Sequence, residues 1–544
     1  MRGSFSERGH TMGKQICRLV FSGILSALFA TVAISAETPK SGGILNATLI
    51  EAPPSFSIHE EATVGAVWPV MPCYSNLVLF DPLKKQESPD SIILELAEKW
   101  TLQDGGKSLV FFLRKDVKWH DGRPFTSQDV KHTFDVVREA PGITTKLRVN
   151  PRQLWYENVA SIDAPDPTTV AFRLKKAQPS LILMLASGYS PVYPAHVPLA
   201  ELRTKCVGTG PFKLKEVRPG ELIDYVRNPD YFVKGRPYLE GIRYTIIKDR
   251  STRYSAIQAG RQDVPYPLEI AKTIAETVKQ SAPKLVLIES STNVYDSFFV
   301  NFARPLFSDP KLRKALNLAV DRKGYIKAAR QGAAVSGGVM LPPPYGVWGL
   351  SAAEQAKIPG FGDAAKEKAE AKKLLAEAGY GPSKPLKLTV STRAIPSYVE
   401  ITSYVVDQLR QVGINATIEQ IETGVWHAKM TRREFELAVD QTGIGPDDPD
   451  ARFFEGFKCA SPRNYSAYCN KEVDAMIDKQ SEIIEQKKRL DLVHEIDKRL
   501  QLDGARFMLG HSKEYALMQP YVKNLVPHQS VYNYGRMQEV WLDK

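Results

Sequence analysis

Residues Leu96–Asp135 read LAEKWTLQDGGKSLVFFLRKDVKWHDGRPFTSQDVKHTFD, and two patterns within them decide the fold class. Leu109, Phe111 and Leu113 alternate with residues of the opposite face, the period-2 signature of a half-buried strand. Thr126, with Asp129 three positions on, reads as a capping box, and Val130, Phe134 and Val137 then fall on one helical face. His120-Asp121-Gly122 sits between strand and helix as a turn. The Asp caps it and the Gly closes it. One strand, one polar turn and one capped helix within forty residues point to a mixed α/β chain.

The same patterns recur on either side. Val170, Phe172 and Leu174 alternate, as do Ile242, Tyr244 and Ile246, and Leu386, Leu388 and Val390. Helical periodicity covers Lys311–Ala329, Ala364–Ala378 (stopped by Gly379) and Ser397–Val412 (stopped by Gly413). Lys471–Leu502 reads as one long helix or two, ending at Gly504. Leu341–Gly362 and Ile444–Asn464 read as irregular loops, the places where binding groups concentrate on a rigid scaffold. No clean βαβ repeat or short-period internal repeat runs through the chain.

The chain has 544 residues, 43% hydrophobic and 24% charged. That composition excludes a disordered or fibrous protein, and the length suggests three to four domains. Lys and Arg number 72 against 61 Asp and Glu, a net +11. An excess this diffuse gives no footprint for nucleic acid. From Met12 the chain reads as a cleavable secretory signal. Lys14 and Arg18 are basic, Leu19–Ile34 is apolar, and small residues lead to a cleavage expected after Ala36. Export places the remaining cysteines in an oxidising compartment. Cys459 and Cys469 bracket nine polar-rich residues and are expected to pair. Cys73 and Cys206 are left open between a bridge and buried free thiols.

Catalytic and cofactor motifs fail in turn. No GxSxG occurs, His59-Glu60-Glu61 and His494-Glu495 do not complete HExxH, and no CxxC is present. Gly105-Gly106-Lys107-Ser108 lacks the first glycine of a phosphate loop, and Lys213 replaces the last glycine after Gly208-Thr209-Gly210. The sequence therefore predicts a binding protein: no catalytic residues, no metal and no cofactor.

Six stretches, in order, resemble one family. They are Leu96–Asp135, GTGPFKLKEVRPGELIDYVRNPDYF (Gly208–Phe232), LFSDPKLRKALNLAVDRKGYI (Leu306–Ile326), AKKLLAEAGY (Ala371–Tyr380), QLRQVGINATIE (Gln408–Glu419) and NYSAYCNKEVDAMI (Asn464–Ile477). In the first, Trp100, Leu113, Arg114, His120, Asp121, Gly122, Asp129 and Val130 match. The chain is similar to the solute-binding proteins of peptide-type ABC transporters, extracellular solute-binding family 5. The resemblance implies a periplasmic-binding-protein type II-like α/β fold, two lobes with a hinge and cleft, plus a domain inserted in the first lobe. On that pattern residues 37–81, 207–293 and 514–544 form lobe I, 82–206 the inserted domain and 294–513 the second lobe, after a signal peptide at 1–36. It also implies a monomer in the periplasm that captures a small peptide or peptide-like solute and delivers it to membrane permeases with their ATPases. A sugar- or opine-like solute, or a signalling role, is the alternative.

The resemblance also places candidate ligand residues. His59, Glu60 and Glu61 lie where lobe I reaches the cleft, and Trp426 matches a cleft-facing tryptophan. Asp440, Gln441, Asp447 and Asp448 lie at or beyond the strand Phe435–Val439. One position departs. Gly445 stands where peptide receptors of the family carry the Asp that pairs with a ligand's ammonium, so Asp440 or Asp447 is expected to replace it.

Overall fold

The computed structural model describes residues 37–268 and 271–544; the expected signal segment, 1–36, lies outside them. Residues 39–544 form one compact unit. No helix among the described residues is long and apolar enough to cross a membrane.

Three main sheets organise the unit. The first is four-stranded. Ile44–Leu49 pairs parallel with Gly241–Ile246, followed by Leu222–Arg227 and Phe212–Arg218, both antiparallel. The second, Ala97–Gln103, Ser108–Leu113, Thr169–Leu174 and Val159–Asp166, is wholly antiparallel and falls within the long excursion between the strands at 44–49 and 212–218. Its Leu109, Phe111 and Leu113 are buried, as the alternation requires, and Phe111 packs edge-on to Phe172. The third sheet has six strands in the order 334–335, 507–518, 286–300, 437–442, 387–393 and 415–421.

Two long strands of the third sheet pair with each other. Val286–Val300 and Phe507–Met518 run antiparallel along almost their whole length. The expected boundaries 293/294 and 513/514 fall inside these strands. Their register jumps between Ser291↔Lys513 and Tyr295↔His511. Three residues of one strand (292–294) thus oppose one of the other, a bulge that bends the ladder. The bulged Asn293 turns its N–H to Gln529 O and its carbonyl to Arg452 instead of across the ladder.

Helix boundaries follow local chemistry. Thr126 and Asp129 form the expected capping box on Ser127–Val137. Gly379 and Gly413 adopt φ of +84° and +92°, which only glycine takes without strain, and end their helices there. The expected helix Lys311–Ala329 is broken. Pro310–Ala319 ends at an extended Val320, and Asp321 starts a new turn by accepting from Gly324 N–H at 2.9 Å. Lys471–Leu502 is two helices, Lys471–Ser481 and Gln486–Leu502. The stretch read as a loop from Ile444 contains a helix, Pro449–Gly456, because Asp448 caps it and Pro449 occupies its first turn.

Two disulfides brace the unit. Cys459–Cys469 closes the short loop, and Cys73–Cys206, 133 residues apart, ties the two ends of the excursion together. In the chain-entropy account bridges of these loop lengths stabilise by about 3 and about 5 kcal/mol. Non-reducing peptide mapping is expected to recover both pairs. Replacing Cys73 and Cys206 together with serine should lower the urea midpoint more than the same change at 459 and 469.

Candidate functional site

A cavity of about 80 Å³ lies between the C-terminal edge of the first sheet and that of the third. On the side of the first sheet stand Ile50, Ala62, Thr63, Val64 and Tyr266. On the side of the third sheet stand Arg393 at the end of one parallel strand, Asp440–Gly443 at the end of the next, and His427 and Arg463 from flanking segments. Tyr532 from the C-terminal segment closes one side. Strand ends whose backbones diverge leave the crevice where α/β sheets bind ligands. A smaller chamber of about 20 Å³ shares Asp440 and Arg463 with it and is lined also by Tyr295, Arg452, Glu455 and Arg506. At roughly 10–15 Å³ per water, the two together hold several waters. A solute larger than that enters only if the lobes part or side chains swing aside.

Asp440 is the carboxylate on both walls. It accepts from Thr442 Oγ1 at 3.3 Å. Burial raises its pKa, while Arg393, Arg506 and Arg463 pull the other way. Arg393 donates to Tyr398 OH at 2.9 Å and Thr423 Oγ1 at 2.9 Å, and its Nη2 lies 3.9 Å from Glu51. Arg463 sits 3.4 Å from Glu455. Burial disfavours the charge on Arg463, but Glu455 and neighbouring tyrosines more than compensate, so its pKa is raised. His427 is held neutral. Burial first, then Arg393 and Arg463, lower its pKa to about 3. Its Nδ1 lies 3.1 Å from Tyr465 OH, and its Nε2 has no partner.

Of the residues expected from sequence, Asp440 and Gln441 line the cavity. Gln441 is engaged from below, donating to Asp296 at 2.9 Å and accepting from Ser397 Oγ at 3.3 Å. The trio at 59–61 lies just short of the wall, which begins at Ala62. His59 is buried with Nε2 2.8 Å from Pro191 O, and burial lowers its pKa to about 3. Glu60 is clamped by both ends of Arg203 at 2.8 Å, and Glu61 pairs with Arg148 at 3.3 Å. Trp426 faces the opposite way, into an apolar cluster with Phe299, Met430, Phe435 and Ala438. Its neighbour His427 reaches the cavity instead, because successive helical residues point about 100° apart. Asp448 is spent on a two-pronged pair with Arg489 at 2.8 and 2.9 Å, buried beside Asp450. Asp447 accepts from Gln529 at 3.1 Å outside the cavity.

Gly445 is a packing requirement. A Cβ there would meet Ser187 Oγ at 2.4 Å and the Trp155 ring at 2.8 Å. The inserted domain occupies the space an aspartate would need. Of the two proposed substitutes, only Asp440 faces the cavity.

Residues 91–463 match the family model for bacterial extracellular solute-binding proteins, family 5. The chain belongs to that family. It is 26% identical over 502 residues to heme-binding protein A of Haemophilus influenzae, covering 86% of this chain and 87% of that protein. Identity is also 26% over 485 residues to the dipeptide-binding protein of Escherichia coli, at 84% and 86% coverage. Among solved structures, the binding protein AgaA of A. tumefaciens R10, in complex with agropinic acid, superposes with a TM-score of 0.79 over 92% of this chain and 99% of that one, at 21% identity. That last likeness shows the shared two-lobed fold with its inserted domain.

Sequence reasoning missed Arg393, Arg463, Arg452, Arg506, Tyr398 and Tyr532. Arg393 alone left a signal, as a charge ending the alternating strand LKLTVSTR.

Two outcomes follow from this geometry. Burial raises the Asp447 pKa to about 7, above its unfolded value of about 4. Its contribution is therefore full below pH 4 and is lost as pH rises to 7, at most about 1.4 kcal/mol per pH unit. Asp447→Asn should gain stability relative to wild type across that window, read by urea unfolding at pH 4.5, 6 and 8. Gly445→Asp should unfold well below wild type in a thermal melt, because backbone and ring must move to admit the side chain.

Proposed function

We propose that this chain is the substrate-binding component of an ABC importer. It captures a small peptide or peptide-like organic solute between its lobes in the periplasm and hands it to membrane permeases, whose ATPases drive transport. The observation that carries this reading is the position of the cavity. It opens between two lobes joined by the bulged strand pair 286–300 and 507–518, so parting and closing the lobes opens and seals it. A sealed receptor presents both lobes to a permease in one fixed relation, whereas an open one does not. The chain acts as a monomer and carries out no chemistry on the solute. The division into residues 37–81, 207–293 and 514–544, an inserted 82–206 and a second lobe at 294–513 belongs to this proposal. So does removal of residues 1–36 on export.

The relatives' names support a solute receptor and leave its specificity open, since heme and a dipeptide stand among them. Mass spectrometry of ligand released from protein purified under native conditions should show one dominant small organic solute. Deleting the gene should abolish its uptake. Asp440→Asn should weaken binding of that solute about tenfold or more, the cost of losing one charge-assisted hydrogen bond, while Asp447→Asn changes it little. Retained uptake on deletion, with no solute released, would remove the transport reading.

A further inference from the structure

The charges on the cavity walls do not balance. Around the two chambers stand four guanidiniums, from Arg393, Arg452, Arg463 and Arg506, and two lining carboxylates, from Asp440 and Glu455, with a third, Glu51, 3.9 Å from Arg393. His427 adds no charge. The arginines differ in how they are neutralised. Arg463 has Glu455 at 3.4 Å and Arg393 has Glu51 at 3.9 Å. Arg452 and Arg506 bond only to neutral oxygens. Arg452 donates to Asn293 O at 2.7 Å and Thr442 O at 3.4 Å; Arg506 donates to Thr442 Oγ1 at 3.3 Å and Ser297 Oγ at 3.4 Å.

These two side chains are 2% and 4% exposed, and the Nε of each has no partner. Their guanidiniums lie 4.2 and 5.8 Å from the centre of the same Tyr295 ring, and the two cations repel each other there. Two buried cations around one ring, each hydrogen-bonded to neutral acceptors, are a costly arrangement that an anion relieves. Guanidinium forks match a carboxylate's two oxygens.

We infer that the solute carries at least two carboxylates, one received between Arg452 and Arg506 and another by Arg393 and Arg463, with Asp440 between them accepting from an amine or hydroxyl. The inference rests on the reading of the cavity as the transported solute's site. A zwitterionic dipeptide, with one carboxylate and one ammonium, would add no net negative charge and leave the positive excess in place. A single phosphate would concentrate its charge at one end and leave the other arginines unserved. Two carboxylates held apart by a short carbon or peptide skeleton reach both pairs. Packing against Ser187 and Trp155 leaves no room for a further carboxylate at position 445.

The test starts from solute released by natively purified protein, its carboxyl groups counted by methyl esterification and mass spectrometry. Two or more are expected. A dominant solute with one carboxyl group or none, or a phosphate ester, overturns the inference and leaves the receptor reading standing. If no solute is released and deletion leaves uptake unchanged, both fall together. The released solute is then returned to ligand-free wild type, Arg452→Gln and Arg506→Gln, and followed by calorimetric titration. Each variant should bind about tenfold or more weakly, and its ligand-free unfolding temperature should hold or rise, because an unneutralised buried charge has gone. A ligand-free protein that melts lower yet binds as wild type would assign both arginines to the scaffold and overturn the inference. Arg506→Lys, which keeps the charge and loses the fork, should fall between wild type and Gln.

Discussion

The antiparallel pairing of Val286–Val300 with Phe507–Met518 is the constraint on which the molecule depends. Both expected passages between lobes lie in one ladder, which ties them along a single seam. The bulge at 292–294 sits in the middle of that seam. The backbone groups that leave the ladder there do not go unpaired: Thr292 Oγ1 reaches Ser512 O, Asn293 N–H reaches Gln529 O, and Asn293 O receives Arg452. Val294, one residue on, lines the cavity. The irregularity that bends the connection thus also builds the floor of the site and holds one of its arginines.

Buried charge recurs around that seam, in two kinds. Scaffold charges are matched. Asp448 and Asp450 share Arg489, with Ser180 of the inserted domain donating to Asp450 at 2.5 Å. Asp296 receives Arg330, Tyr325, Ser512 and Gln441 beneath the cavity floor. Each locks neighbouring segments in one arrangement, since an unpaired partner would be left costly in the interior. The site's charges are of the other kind. Asp440 has no arginine within ion-pair reach among the described residues, and Arg452 and Arg506 meet neutral oxygens. Matched networks make a rigid frame; unmatched charges within it are what a solute can complete.

The inserted domain shapes this site without lining it. Ser187 and Trp155 press against Gly445 and remove the room for a side chain there. Gly188 N–H is held by Asn533, and Asn76 bonds the carbonyls of Leu185 and Ser187. The room at position 445 is therefore set by packing contacts from a segment more than 250 residues away in the chain.

Much was determined by the sequence alone. Alternation in Leu109–Leu113 and Leu386–Val390, the box at Thr126 and Asp129, and the glycines at 379 and 413 act through neighbours in the chain. Short-range sterics and hydrogen bonds suffice to read them. The six ordered stretches likewise marked the family and the two-lobed plan. Asp440 was legible because it ends a strand at the crevice. What failed to show were contacts between segments far apart in sequence. Whether Asp448 faces solvent or Arg489, whether Trp426 or His427 looks into the cleft, and whether residue 445 has room for an acid depend on what another segment places there. Four arginines at 393, 452, 463 and 506 look like ordinary scattered charge in the chain. Only the folded sheet gathers them around one cavity, because burial and electrostatic coupling act through space and take no account of sequence distance.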